Sequence, residues 1–162
     1  MTMRIGYHYS DWDYADNETV VRSWDINLTP EQLTAEAIIR DHHPEGPETG
    51  LRIRSSAFFL YEDYKTAHRM FERMRTWKYL YTMEYDDADI LHRGLLGIYN
   101  QVVTAPTEAD AIKSAQLYWK GFPPESSHVE VLVSKITVLS RIERPKTVME
   151  AFWDKTEQKK NI

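Results

Sequence analysis

The sequence predicts an α+β chain folded as a single domain over residues 1–162. Three observations carry this. Stretches that alternate every second residue are interspersed with stretches whose apolar residues recur every third and fourth position. Several strand-like stretches follow one another directly, without the regular strand–helix alternation of a doubly wound sheet. A chain of 162 residues, 42% of them hydrophobic, is long enough for one well-filled core.

The elements follow in order. Met3 to Ser10 reads as a first strand, with Ile5, Tyr7 and Tyr9 on one face and Arg4, Gly6, His8 and Ser10 on the other. Asp11 to Asn17 reads as an acidic loop, and Glu18 to Ile26 fits no single pattern. Thr29-Pro30-Glu31-Gln32 has the composition of a capping box with proline at the first helical position. Leu33, Ala37 and Ile38 then supply the apolar stripe of a helix running to about Asp41. Pro44 to Gly50 reads as a loop, Ile53 to Tyr61 as a strand and Asp63 to Arg75 as a helix striped by Ala67, Met70, Phe71 and Met74. Trp77 to Tyr85 is an aromatic-rich strand, Asp86 to Arg93 a turn region and Leu95 to Thr104 a further strand. Pro106-Thr107-Glu108 opens a helix that Gly121 can end, and Pro123-Pro124 is a stiff connector. Two strands follow, Ser127 to Val133 and Lys135 to Arg141, and Pro145 to Ile162 reads as a C-terminal helix with Val148, Met149 and Phe152 turned to the body.

Composition narrows the chemistry. With no cysteine, disulfides, thiolate metal sites and cysteine nucleophiles are excluded. The six histidines show no HExxH or HxH spacing, so no metal site is expected. Neither GxGxxG, GxxxxGK[ST] nor GxSxG occurs. A net charge of −5 argues against a general nucleic-acid or anionic-membrane surface, although Arg52, Arg54, Lys65, Arg69, Arg73, Arg75 and Lys78 make one region locally basic. No segment approaches membrane-spanning length and the N-terminus lacks a signal-peptide core, which leads to the expectation of a cytoplasmic protein.

One residue is out of place in this pattern. Val129, Val131 and Val133 form the apolar face of a strand, and Glu130 points the other way between His128 and Leu132. Either its face is solvated, or a rigid strand presents one acid into a cleft. His8 on the first strand, Ser55-Ser56 before Ala57-Phe58-Phe59-Leu60, and Tyr118-Trp119 before the Glu130 strand are ordered along the chain around it.

That ordered set resembles the ADP-ribosyltransferase fold. The stretch from Arg54 to Leu60, Ala67, the Tyr79 to Tyr85 strand, Asp89-Ile90-Leu91-His92, Ala115 to Gly121 and Val129 to Val133 is similar to a bacterial and phage family of uncharacterised proteins assigned to that fold. Tyr7-His8-Tyr9-Ser10 resembles the histidine variant of its first strand. The resemblance implies a split β-core of two small sheets flanked by helices, with NAD+ bound as substrate in the cleft between them. It implies an NAD+-dependent ADP-ribosyltransferase, a glycosyltransferase that releases nicotinamide and passes ADP-ribose to a protein or nucleic-acid acceptor. Glu130 would be catalytic, stabilising the oxocarbenium-like ribose. His8 would hold the adenosine ribose, the Tyr9 backbone would meet the carboxamide, and Ser56 would support Glu130 or the ribose. Tyr61 or Tyr64 would stack on nicotinamide, and Phe58 and Trp119 complete the cofactor-binding set. His128 stands where arginine-modifying members carry Gln or Glu, so an acceptor other than arginine is expected. The helix after the second strand lacks the tyrosine that the histidine variant carries near its middle. The alternative is a non-catalytic binding or inhibitory protein of the same fold.

Overall fold

The computed structural model describes residues 2–21, 28–73, 77–121, 128–144, 152–153 and 155. Seven strands form one antiparallel sheet: β1 (Met3–Ser10), β2 (Thr19–Val21), β3 (Phe58–Tyr61), β4 (Tyr79–Asp86), β5 (Ile90–Leu95), β6 (Val129–Val133) and β7 (Lys135–Glu143), in the order β2-β7-β4-β1-β3-β6-β5. Five helices accompany them: α1 (Pro30–Asp41), α2 (Pro47–Ser56), α3 (Tyr64–Arg73), α4 (Leu96–Val103) and α5 (Glu108–Tyr118). The class is mixed α and β. No helix among the described residues is long and apolar enough to cross a membrane.

The sheet has to curl. Ser134 alone separates β6 from β7, yet β3, β1 and β4 lie between those two strands. In a flat sheet that separation is roughly 19 Å, whereas the two peptide steps from Val133 to Lys135 reach about 7 Å at most. The core agrees. Phe58 and Leu60 of β3, Val131 and Val133 of β6, Tyr81 and Met83 of β4 and Ile136 and Val138 of β7 form a single buried cluster. The valine face of β6 therefore lines a core, as alternation predicts.

The other face of β6 and β3 is covered by helices. Leu132, fully buried, joins Ala35, Ile39, Ile53, Ile98, Val102, Ala111 and Ala115 in a second cluster, where α1 packs against α2, α4 and α5. At the β1 end the same face lies under α3. Tyr7 and Tyr9 pack there with Ala67 and Phe71, and the Tyr9 hydroxyl donates to the Ala67 carbonyl at 3.0 Å.

Local chemistry explains most boundaries. Thr29 caps α1 with the reciprocal Thr29–Gln32 hydrogen bonds of a capping box, and Pro30 occupies its first turn. Thr107 caps α5, and Gly121, with φ of 76°, stands just beyond its end.

Several expectations are corrected. The segment Pro44 to Gly50 is not all loop, because Gly46 turns with φ of 108° and Pro47 opens α2. The strand expected over Ile53 to Tyr61 therefore begins only at Phe58; Arg54, Ser55 and Ser56 finish a helix. Leu95 to Thr104 is helical from Leu96, with Ile98 and Val102 buried one turn apart; over eight residues this stripe is hard to tell from strand alternation. Asp86 to Arg93 turns only at Asp87–Asp89 and then becomes β5. The stripe of α1 is also rotated: Ala35, Glu36 and Ile39 are buried and Leu33 is exposed. Of the expected C-terminal helix, Phe152 and Trp153 are helical and exposed, and most of the rest, with Pro123-Pro124, Trp24 and Arg75, lies outside the described residues.

Candidate functional site

Register fixes which side chains meet Glu130. Cross-strand partners share a sheet face. Glu130 pairs with Tyr61 on one side and Gly94 on the other, and Tyr61 pairs with Tyr7. Tyr7, Tyr61, Glu130 and Gly94 thus form one row across four strands, on the face that the helices cover.

Glu130 sits where that cover ends. Two residues along, Leu132 is sealed, whereas Glu130 is half-buried. Among the described residues no hydrogen-bond donor or ion pair reaches its carboxylate. Burial pushes its pKa up to about 7; the nearby Arg54 guanidinium opposes this and Glu36 adds to it. The face is neither open solvent nor sealed core. It holds one acid that changes charge near neutrality.

The surroundings of this acid are aromatic and charged. Arg54, at the C-terminal end of α2, is buried with Glu36 of α1. Its Nε donates to Glu36 Oε2 at 3.1 Å, its Nη2 donates to Glu36 Oε1, and its Nη1 donates to the Tyr118 hydroxyl at 2.8 Å. The guanidinium lies over the rings of Phe59 at 4.7 Å, Tyr99 at 5.3 Å and Tyr118 at 5.5 Å. Arg40, one helical turn beyond Glu36, approaches the same carboxylate at 3.5 Å. Burial raises the Tyr118 and Tyr61 phenols well above their ordinary range and brings Tyr99 to about 12, so all three stay protonated.

Glycine makes this packing possible. A Cβ on Gly94 would meet Tyr118 Cε2 at 2.4 Å. The Tyr118 ring therefore packs against β5 at the position paired with Glu130, and its hydroxyl accepts from Arg54. Gly94→Ala is expected to push this ring off the strand at a cost of about 1–3 kcal/mol. A lowered melting temperature with a changed near-UV tyrosine signal would report it, and an unaltered signal would contradict it.

The residues anticipated from sequence are distributed over several environments. His8 follows Tyr7, so it points to the opposite face from Glu130; it pairs with Tyr81, is buried against Phe58, and its Nδ1 lies 2.9 Å from the Phe59 carbonyl. A role for the His8 side chain on the Glu130 face is thereby corrected: alternation along β1 forbids it. Phe58 shares the His8 side, in the curled core. Ser56 ends α2, and its hydroxyl donates to the Arg52 carbonyl at 2.6 Å, so the helix replaces the strand that was to aim it at Glu130. Trp119 is buried beyond α5 and donates from Nε1 to the Ile39 carbonyl at 2.6 Å. Tyr64 opens α3, exposed, edge-on to Tyr7. Tyr61 is directly opposite Glu130, and Tyr9 is close enough for the Glu130 charge to raise its phenol further after burial does so.

The basic region also resolves. Arg54 is buried and paired, leaving Arg52, Lys65, Arg69, Arg73 and Lys78 at the surface. Near Trp119, burial lowers His92 to about 4 and its Nε2 donates to the Tyr118 carbonyl at 2.9 Å, so its ring is neutral. Among the described residues, no group of three or more His, Asp or Glu could hold a metal ion. Glu36, Arg54 and Tyr99 escaped the sequence reading as site residues. The available signal was Glu36 between Ala35 and Ile39, a charge on what proves to be the buried stripe of α1.

No protein-family model matches the chain, and no curated protein matches it.

Proposed function

We propose that the chain is an NAD+-dependent ADP-ribosyltransferase with Glu130 as its catalytic carboxylate. The observation that carries this is Glu130 itself: a half-buried acid on a rigid strand, without a hydrogen-bond partner among the described residues, opposite the Tyr61 ring. The curled sheet supports reading β5-β6-β3 and β1-β4-β7-β2, which meet through the Tyr7–Tyr61 pair, as the two halves of an ADP-ribosyltransferase-like split core. In the reaction, the bond between nicotinamide N1 and ribose C1′ breaks and its electron pair leaves with nicotinamide. Ionised Glu130 holds the ribose 2′-hydroxyl and stabilises the positive charge growing at C1′. An acceptor nucleophile then bonds to C1′ and gives up its proton to Glu130 or solvent. The acceptor is a macromolecule, protein or nucleic acid, and not arginine, since His128 brings no carboxylate or amide two residues before Glu130.

The test is incubation with NAD+ labelled in its adenylate phosphate, with cell lysate as acceptor, resolved into protein and nucleic-acid fractions. Label in either fraction, with matching release of nicotinamide, is expected. Neither label nor release would overturn the reading.

A second reading has its own observation. The His8 side chain lies on the other face of β1 from Glu130, so it cannot share a ribose-binding cleft with it. That favours a non-catalytic binding or inhibitory protein of the same fold. Under this reading millimolar NAD+ gives neither calorimetric heat nor a rise in melting temperature.

A further inference from the structure

We propose that Arg54 is a positioning residue for Glu130: Glu36 and Tyr118 hold its guanidinium on the Glu130 face of the sheet, and how firmly they hold it decides whether Glu130 carries charge. The inference deepens, and rests on, the reading of Glu130 as the reactive carboxylate.

The geometry is as follows. Phe59 pairs with Leu132 and Tyr61 with Glu130, so Phe59 and Glu130 lie on the same face of two adjacent strands. Arg54 sits over the Phe59 ring. On the opposite side of Glu130, the Tyr118 ring fills the space left by Gly94, the residue paired with Glu130. Tyr118 and Phe59 thus bracket the Glu130 position, and Arg54 touches both. Its fork is spent on Glu36 and its remaining arm on Tyr118.

Among the described residues, the other titratable groups around Glu130 and Arg54 leave this competition intact. They are Tyr9 of β1, Tyr61 of β3, Tyr99 of α4 and Tyr118 of α5, all phenols held protonated, and Arg40 of α1, which approaches Glu36 at 3.5 Å. Arg54 is accordingly a cation shared by two acids. While Glu36 holds it, Glu130 is free to hold or lose a proton near neutrality. If Glu36 lets go, Glu130 becomes the counter-ion and is fixed in its charged form. A reactive carboxylate tuned this way rests partly neutral and gains charge when the cationic nicotinamide ribosyl group arrives.

The experiment is carbon-13 NMR of the full chain labelled at glutamate Cδ, with the Glu130 resonance assigned by its loss in Glu130→Gln. The midpoint of Glu130 is followed with pH in wild type, Glu36→Gln and Glu36→Asp. Glu36→Gln is expected to lower the midpoint by about one pH unit or more, and Glu36→Asp, which keeps the charge, to leave it near the wild-type value. A midpoint unchanged or raised in Glu36→Gln would overturn the inference. Should Glu36→Gln not fold, Tyr118→Phe carries the same test. It frees one arm of Arg54 to turn to Glu130, and again the midpoint must fall. The NMR readout is independent of turnover. A shifted midpoint without nicotinamide release leaves the coupling standing and removes the activity; release without a shift does the reverse.

Discussion

Replacing Glu130 by glutamine is expected to stop nicotinamide release from NAD+ and, in the same variant, to make the protein more stable above pH 7. The two effects share one cause. The folded state holds the Glu130 proton up to about pH 7, whereas an unperturbed carboxyl loses it near 4.5. Between those values the folded chain binds more protons than the unfolded one, so stability falls as pH rises. A difference of that size corresponds to about 3 kcal/mol at most, and the open side of this half-buried group makes the real figure smaller. Glutamine cannot ionise and removes the slope. Melting temperatures of wild type and Glu130→Gln are expected to lie close together at pH 5. By pH 8 they should diverge by roughly 5 °C in favour of the variant. Under the proposed reaction, in which the ionised carboxylate acts, wild-type nicotinamide release should rise through the same range. Parallel melting curves across pH would show that the fold does not hold the Glu130 proton toward neutrality, and turnover unaffected by the substitution would remove it from the chemistry.

Glu130 is also where the sequence was most legible. Alternation alone put Val129, Val131 and Val133 inward and Glu130 on the other face, because a strand has only two faces. The same rule, applied to β1, separates His8 from Tyr7 and Tyr9. What alternation cannot supply is register between strands. That Tyr7, Tyr61 and Glu130 fall in one row, leaving His8 behind the sheet, depends on pairings between residues more than fifty positions apart. The capping residues Thr29 and Thr107 were readable because their chemistry is local. The helices α2 and α4 were not, being short and containing Ile53, Ile98, Val102 and Val103, whose β-branching suits strands as well. The Glu36–Arg54 pair was hidden for a related reason: a charged residue on a helix is ordinarily solvent-facing, and only the crossing of α1 with α2 buries both partners.

That pair carries the largest stability effect expected in the molecule. Arg54→Met should cost about 3–5 kcal/mol, since it leaves Glu36 buried with the 3.5 Å approach of Arg40 in place of the hydrogen-bonded fork. For a chain of this length that lowers the melting temperature by roughly 10 °C. Glu36→Gln should cost less, although it breaks the same contacts, because Glu130 is at hand to balance Arg54. The asymmetry is the informative part. If the pair were an isolated ion pair in an apolar layer, losing either partner would strand one charge and the costs would be similar. If Arg54 is shared with Glu130, the arginine substitution costs more, because it leaves two acids on one face with Arg40 facing Glu36, so its penalty should grow as pH rises through 7 and Glu130 ionises. Replacing both residues, Glu36→Leu with Arg54→Met, removes Arg54 and Glu36 together and should recover part of the loss. Denaturant unfolding of the three variants at pH 6 and pH 8 measures this. Equal costs for Arg54→Met and Glu36→Gln at both pH values would reduce the cluster to a structural ion pair and leave Glu130 uncoupled from it.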